Sequence, residues 1–367
     1  MSMQVGYQKQ IIFGLLLLCI CFIVIESISQ ILWFEHNKSC KLQTFYYDGY
    51  ARELNEKLCN DYKSIKYLDS SIRTNYPNQS GYTYSINEFG FRGKSFDFNK
   101  SDNEYRIIMV GGSTTFGLGS TNDDETIPAH LESMLNQKFE QKIHVINAGV
   151  IAANSKSEVF YIENELIEFS PNLIVVFDGY NDSFEIDLTD ASEDQNYSGN
   201  TNKNAIEKII KKYFNWLASP KIFYQFTHDY FQSQSLTNEL KTENTKKWLE
   251  RWNHICKLSK EHDFELLITV QPMIGTDNRT LSDVEREIIK SNVQFEKTLE
   301  FLNDLGNNIN SLSCPHADLR DTFNDYDDQI FFSLVHTGDK QNKIIANKIY
   351  EKILPIISND LKEREQL

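Results

Sequence analysis

The chain has 367 residues, 40% of them hydrophobic, and a formal net charge of −15 at pH 7. That length and apolar content can build a substantial core, which excludes a disordered chain. The acidic balance, with no stripe of Lys and Arg among aromatics, argues against nucleic acid as a partner, because phosphate binding draws its affinity from clustered cations.

Ile11 to Ile25 is an unbroken apolar run, and with Ser27, Ser29 and Gln30 tolerated it extends to Phe34, crossing the single charge of Glu26. A spanning helix needs about 20 apolar residues, so the longer reading gives a membrane anchor with Trp33 and Phe34 at the interface. The alternative is a signal peptide cleaved near Ser27 and Ser29. Either way the remainder of the chain lies outside the cytoplasm. It is a single-pass membrane protein in the first reading and a secreted one in the second. Cys19 and Cys21 fall inside the run as packing residues. Cys40 and Cys59 are spaced for a disulfide, Cys256 and Cys314 are far apart in sequence, and spacing alone does not fix the pairing. No pair has metal-type spacing and the eight histidines are scattered, so no metal site is expected.

Residues 35–104 mix aromatic and polar residues without a sustained period and read as a membrane-proximal extension. From Arg106 onward short apolar strands alternate with amphipathic helices, the pattern of a parallel sheet covered on both faces. The expected strands are Arg106 to Val110, Ile143 to Asn147, Leu173 to Phe177, Glu265 to Val270 and a short one at Ala317 to Leu319. Pro128 opens one helix. Ser282 and Glu285 form a capping box for a long helix ending before Gly306. A last helix follows Asp339, with Ile345, Ile349 and Ile353 on one face. Between Asp182 and Asp263 an insertion opens with the acids Asp182, Glu185, Asp187, Asp190, Glu193 and Asp194, read as a solvated loop. Tyr213, Phe214, Trp216, Phe223, Tyr224, Phe226, Tyr230 and Phe231 follow, an aromatic stretch that would cap the core and wall a cleft beside Asn181.

Three of these strands end in chemistry. Gly111-Gly112-Ser113-Thr114-Thr115 sets a serine in a glycine-flanked turn, Asn147-Ala148-Gly149 closes the second strand, and Gly179-Tyr180-Asn181-Asp182 closes the third. His336 stands just ahead of the last helix. Together they supply a hydroxyl nucleophile, an imidazole to take its proton and donors for an oxyanion: the backbone N–H groups of Ser113 and Gly149 and the side-chain amide of Asn181. In open α/β sheets ligands bind outside the carboxyl ends of the strands, where Ser113, Gly149 and Asn181 all fall.

This order of segments resembles the SGNH, or GDSL-like, hydrolase family, whose four named residues correspond here to Ser113, Gly149, Asn181 and His336. The likeness runs from about Tyr105 to Ile357. The preamble Asn87-Glu88-Phe89-Gly90-Phe91-Arg92-Gly93 and the segments Gln271-Pro272 and Leu281-Ser282-Asp283-Val284-Glu285 resemble membrane-anchored extracytoplasmic members and are read as architectural. The resemblance implies a three-layer α/β/α sandwich with a central parallel sheet, flavodoxin-like, preceded here by a transmembrane helix. The expected division is an anchor at 1–34, an extension at 35–104 and a hydrolase-like domain at 105–360 with an insertion at about 183–262. The implied activity is serine-dependent hydrolysis of an O-acyl ester, acetyl above all, on a cell-surface glycan or lipid, with no cofactor. Acyl transfer and ligand binding by a degenerate site are the alternatives. One departure is visible. The family's aspartate three residues before the histidine is replaced by Ser333, which can accept a hydrogen bond but carries no charge. Asp327, Asp328, Asp339 or a backbone carbonyl could stand in for it through space.

Overall fold

The computed structural model describes residues 6–38, 49–69, 72–184, 217–220 and 238–364. Two compact units arise: Met1–Leu42 with Ile186–Ser235, and Gln43–Glu185 with Leu236–Leu367. In the first, helix α1 (Tyr7–Lys38) contains an apolar segment, Tyr7–Leu32, long enough to cross a membrane.

The second unit is organised by a parallel sheet of β5 (Glu104–Gly111), β6 (Lys142–Asn147), β7 (Leu173–Asp178), β8 (Glu265–Val270) and β9 (His316–Asp318), in the order β6-β5-β7-β8-β9. Ile107, Ile108, Met109 and Val110 are all buried, as are Leu173 to Phe177, so these strands lack alternation because both faces are covered. The covering helices are α4 (Ile127–Lys138) packed with α9 (Asp339–Arg364), and α5 (Ser155–Asn164) packed with α6 (Asn238–Glu261), beside which lies α8 (Phe295–Asn308). This is the expected α/β/α sandwich. Thr126 caps α4 by accepting from the Ala129 N–H, with Pro128 in the first turn. The exposed edge of β6 is blunted by α4: Asn136 Oδ1 accepts from the Ile143 N–H at 3.0 Å and Glu132 Oε2 from the Val145 N–H at 2.7 Å. Unsatisfied edge donors would otherwise invite another strand.

Ahead of the sheet, helix α2 (Arg52–Ser64) and two short antiparallel pairs, β1 (Tyr67–Asp69) with β2 (Arg73–Asn75) and β3 (Gln79–Ser80) with β4 (Ser85–Ile86), belong to the same compact unit. The segment Asn87 to Gly93 has a definite task there. Asn87 Oδ1 accepts from the N–H groups of Phe89 and Phe91, each at 3.0 Å, and the turn delivers Arg92 into the interior. Arg92 pairs with Asp123 at 2.8 Å and donates to the carbonyls of Phe116 (3.1 Å) and Gly117 (2.8 Å). Those carbonyls end the short helix α3 (Ser113–Phe116), where a cation offsets unpaired acceptors. A motif far from the cleft in sequence therefore fixes the helix that begins with Ser113.

The structure departs from the sequence reading at the helix after Ser282 and at Asp182. The long helix after Ser282 is two helices, α7 (Asp283–Ser291) and α8, because Asn292 leaves helical geometry and turns its side-chain oxygen to the Gln294 N–H; Gly306 then lies inside α8 rather than beyond it. The capping box itself forms, and its Glu285 does more than cap: it binds Arg279 and accepts from the N–H groups of Ile330 and Phe331, tying α7 to the loop that carries His336. Cys256 and Cys314 are bonded, joining α6 to the approach of β9. Cys59 is also disulfide-bonded, with a partner outside the described residues. Asp182, read as the first residue of a solvated acidic run, is fully buried. The acids from Glu185 to Asp194 and the aromatic stretch from Tyr213 to Phe231, apart from 217–220, lie outside the described residues.

Candidate active site

Strand β5 ends at Gly111, and the chain turns through Gly112 straight into α3, so Ser113 stands at the carboxyl edge of the sheet and at a helix N-terminus. A Cβ on Gly112 would lie 2.7 Å from Asn181 Nδ2, so only glycine lets this turn and the Asn181 turn approach as they do. His336 arrives from the loop between β9 and α9. Its Nε2 lies 2.7 Å from Ser113 Oγ, and its ring stacks on Phe332 with centroids 5.7 Å apart. Ser333 Oγ lies 2.6 Å from the other ring nitrogen, Nδ1, and also accepts from the backbone N–H groups of His336 (3.1 Å) and Val335 (3.4 Å). The structure thus brings Ser113, His336 and Ser333 into one hydrogen-bonded row.

No carboxylate occupies the place of Ser333 among the described contacts. Asp339 is engaged by the Thr121 N–H and hydroxyl, Asp328 pairs with Lys340 at the surface, and Asp327 is exposed. Burial pushes the His336 imidazole down to about 4, since desolvation penalises the cation. The ring is therefore neutral at physiological pH.

Asn181 begins the 3-10 turn Asn181–Phe184 after β7, its Nδ2 donating to the Ala153 carbonyl at 2.6 Å. An amide carries two N–H bonds, so one remains for a ligand. Behind it sit three buried carboxyls. Asp182 accepts from the Ser155 N–H at 3.1 Å and from the Ser155 hydroxyl, and Asp178 accepts from the Trp248 indole at 2.9 Å. Burial raises Asp178 to about 6 and Glu158 well above the usual carboxylate range. This acidic layer makes the Asn181 turn part of the core.

Gly149 is placed otherwise than the sequence suggests. Its N–H donates to Asn147 Oδ1 at 3.1 Å, its carbonyl accepts from Asn75 Nδ2 at 3.0 Å, and a Cβ there would lie 2.1 Å from the Phe116 nitrogen. It serves close packing against α3, and its N–H is already spent. Three residues on, Ala152 has a φ of 65°, unusual for a residue other than glycine, in the exposed turn whose next carbonyl, Ala153, holds Asn181. Sequence reasoning missed it because nothing about an alanine announces a left-handed backbone. Gln271, read from the sequence as architectural, follows β8, accepts from the Thr114 hydroxyl at 3.2 Å beside Ser113, and keeps its own buried Nε2 without a hydrogen-bond partner among the described residues.

No protein-family model matches the chain, and no curated protein does. Among solved structures, an acetyl xylan esterase is similar at 15% identity and a TM-score of 0.40, the match covering 67% of this chain and 98% of that one. An acetylxylan esterase from Geobacillus stearothermophilus matches at 13% identity and a TM-score of 0.38, over 68% of this chain and 94% of the other. A structure from Desulfitobacterium hafniense described under the G-D-S-L lipolytic family matches at 11% identity and a TM-score of 0.39, over 67% and 98%. Likeness of this degree carries no functional argument. The fold is a three-layer α/β/α sandwich with a central parallel sheet in the order β6-β5-β7-β8-β9.

Proposed function

We propose that the protein is a serine esterase held outside the cytoplasm by its N-terminal helix, removing an O-acyl group, acetyl above all, from a cell-surface glycan or lipid. The observation that carries this reading is the 2.7 Å contact between Ser113 Oγ and His336 Nε2 at the carboxyl edge of the sheet. Ser113 attacks the ester carbonyl while His336 takes its proton. The tetrahedral oxyanion is met by the Ser113 N–H and the second N–H of the Asn181 amide. His336 returns the proton to the departing alcohol, and water then attacks the acyl-enzyme by the same route in reverse. A sugar hydroxyl in place of water would make the same intermediate a transfer reaction. The disulfides support the location, since such bonds persist in oxidising compartments.

A second reading, ligand binding without turnover, is favoured by one observation: the group facing His336 Nδ1 is the uncharged Ser333. Aryl-acetate turnover by the full-length protein separates the two. Wild type is expected to turn over, with Ser113→Ala folded and inactive. Equal turnover in both would sink the esterase assignment.

A further inference from the structure

We infer that Ser333 is a positioning residue that holds the His336 proton on Nε2, so that the site rests in the tautomer unable to act as a base. The inference rests on the esterase reading for its kinetic consequence but not for its geometry. A serine hydroxyl has one hydrogen to donate and two lone pairs to accept with. Of the groups around Ser333 Oγ, the N–H groups of His336 and Val335 can only donate. Among the described residues, the sole partner able to accept its hydrogen is His336 Nδ1 at 2.6 Å. Ser333 is buried, so turning its hydroxyl elsewhere would leave a buried donor unmet, which is costly. With Nδ1 accepting, the neutral ring carries its proton on Nε2 and donates it to Ser113 Oγ, the reverse of what nucleophile activation needs. Catalysis then requires the proton to move to Nδ1 and the Ser333 hydroxyl to turn away. An aspartate at 333 would have no hydrogen to give and would fix the productive tautomer.

The experiment is nitrogen NMR of the full-length protein labelled in histidine, with the His336 signals assigned by their loss in His336→Gln, read beside aryl-acetate kcat. In wild type the Nδ1 resonance is expected at the unprotonated position and Nε2 at the protonated one, and in Ser333→Asp the two exchange. On the activity side, kcat should rise at least about tenfold in Ser333→Asp and should not fall in Ser333→Ala. A protonated Nδ1 in wild type, or a fall in kcat for Ser333→Ala, overturns the inference. Absence of turnover in every variant with the wild-type tautomer as stated would instead remove the esterase reading and leave the tautomer standing.

A different observation carries a second proposal, independent of catalysis: the N-terminal helix is a retained part of the folded protein, and Glu26 seats the insertion on it. Among the described side chains of α1, Glu26 alone is buried. Its carboxylate accepts from the Ala218 N–H (2.5 Å), the Ser219 N–H (3.2 Å), the Ser219 hydroxyl (2.6 Å) and Gln30 Nε2 (2.7 Å). An ionisable residue in an apolar span is costly unless paired, and here, Gln30 apart, the donors come from Ala218 and Ser219, 192 residues and more further along the chain. A signal peptide discarded after export has no use for such a seat, and its removal would strip Ala218 and Ser219 of their acceptor. Glu26 stands six residues before Leu32, about 9 Å along the helix, so the insertion is fastened near one end of the span.

Full-length protein tagged at both termini tests this in native membranes. The membrane-bound chain is expected to keep its N-terminal tag. Limited proteolysis within residues 186–235 should run about tenfold faster in Glu26→Ala than in wild type, the equivalent of losing one charge-assisted hydrogen bond, with Ser219→Ala in between. A chain that has shed its N-terminal tag, or equal cutting in wild type and Glu26→Ala, overturns the proposal.

Discussion

Ser113 and His336 meet at one hydrogen bond, yet the two halves of the site are built differently. The serine half is over-determined. Its strand is buried on both faces, its turn closes on a glycine that admits no side chain, and the end of α3 is gripped by Arg92 and by Asn147, whose Nδ2 donates to the Phe116 carbonyl at 3.2 Å. The histidine half is a loop fastened at its base by Glu285, with the Ser333 hydroxyl on the imidazole Nδ1. Position is thus specified by the scaffold on one side, while proton chemistry hangs on one side chain on the other. Damage to the first half should cost stability; a change at Ser333 should alter rate and leave stability nearly untouched.

The largest expected effect breaks the scaffold. Gly149→Ala drives a methyl into the backbone at Phe116, and destabilisation of about 3 kcal/mol is expected, read as a lower Tm or denaturant midpoint. A variant as stable as wild type would show that α3 can yield. Next comes the Asn181 turn, which mixes both characters. Asn181→Ala should lower kcat about a hundredfold with little change in KM, while Tm falls only slightly, one hydrogen bond to Ala153 being lost. A comparable loss in Gly149 variants that remain folded would restore the donor role to that glycine. The smallest effect sharpens the histidine half. With His336 neutral above about 4, kcat/KM should hold as pH falls through the ordinary histidine range and drop only near the lowered value, where the imidazolium forms. Ser333→Asp should move that limb upward, because a neighbouring carboxylate favours the cation. An acid limb at the ordinary histidine value in wild type would contradict the desolvated site.

The sequence disclosed the sandwich because buried parallel strands read as unbroken apolar runs; it pointed to Ser113 and Asn181 because each closes a strand, and to His336 because it stands just ahead of the last helix. It could not disclose what depends on backbone angles or long-range meetings. The left-handed turn at Ala152 and the bond between Cys256 and Cys314 are set by tertiary approach, not by local pattern. Asp182 was misread because an acid beside other acids suggests solvent, whereas Ser155 waited across the fold to bind it. The helix break at Asn292 shows the same limit at short range. A side chain that bonds its own backbone two residues on can end a helix inside a periodic pattern.

The central claim is that Ser113 and His336 form a working nucleophile pair. Its most direct measurement is fluorophosphonate labelling of the full-length protein, with the modified residue located by mass spectrometry in wild type, Ser113→Ala and His336→Ala. The account predicts one adduct, on Ser113, in wild type and none in either variant. A folded wild-type protein that takes up no label, or one labelled equally well without His336, would contradict it.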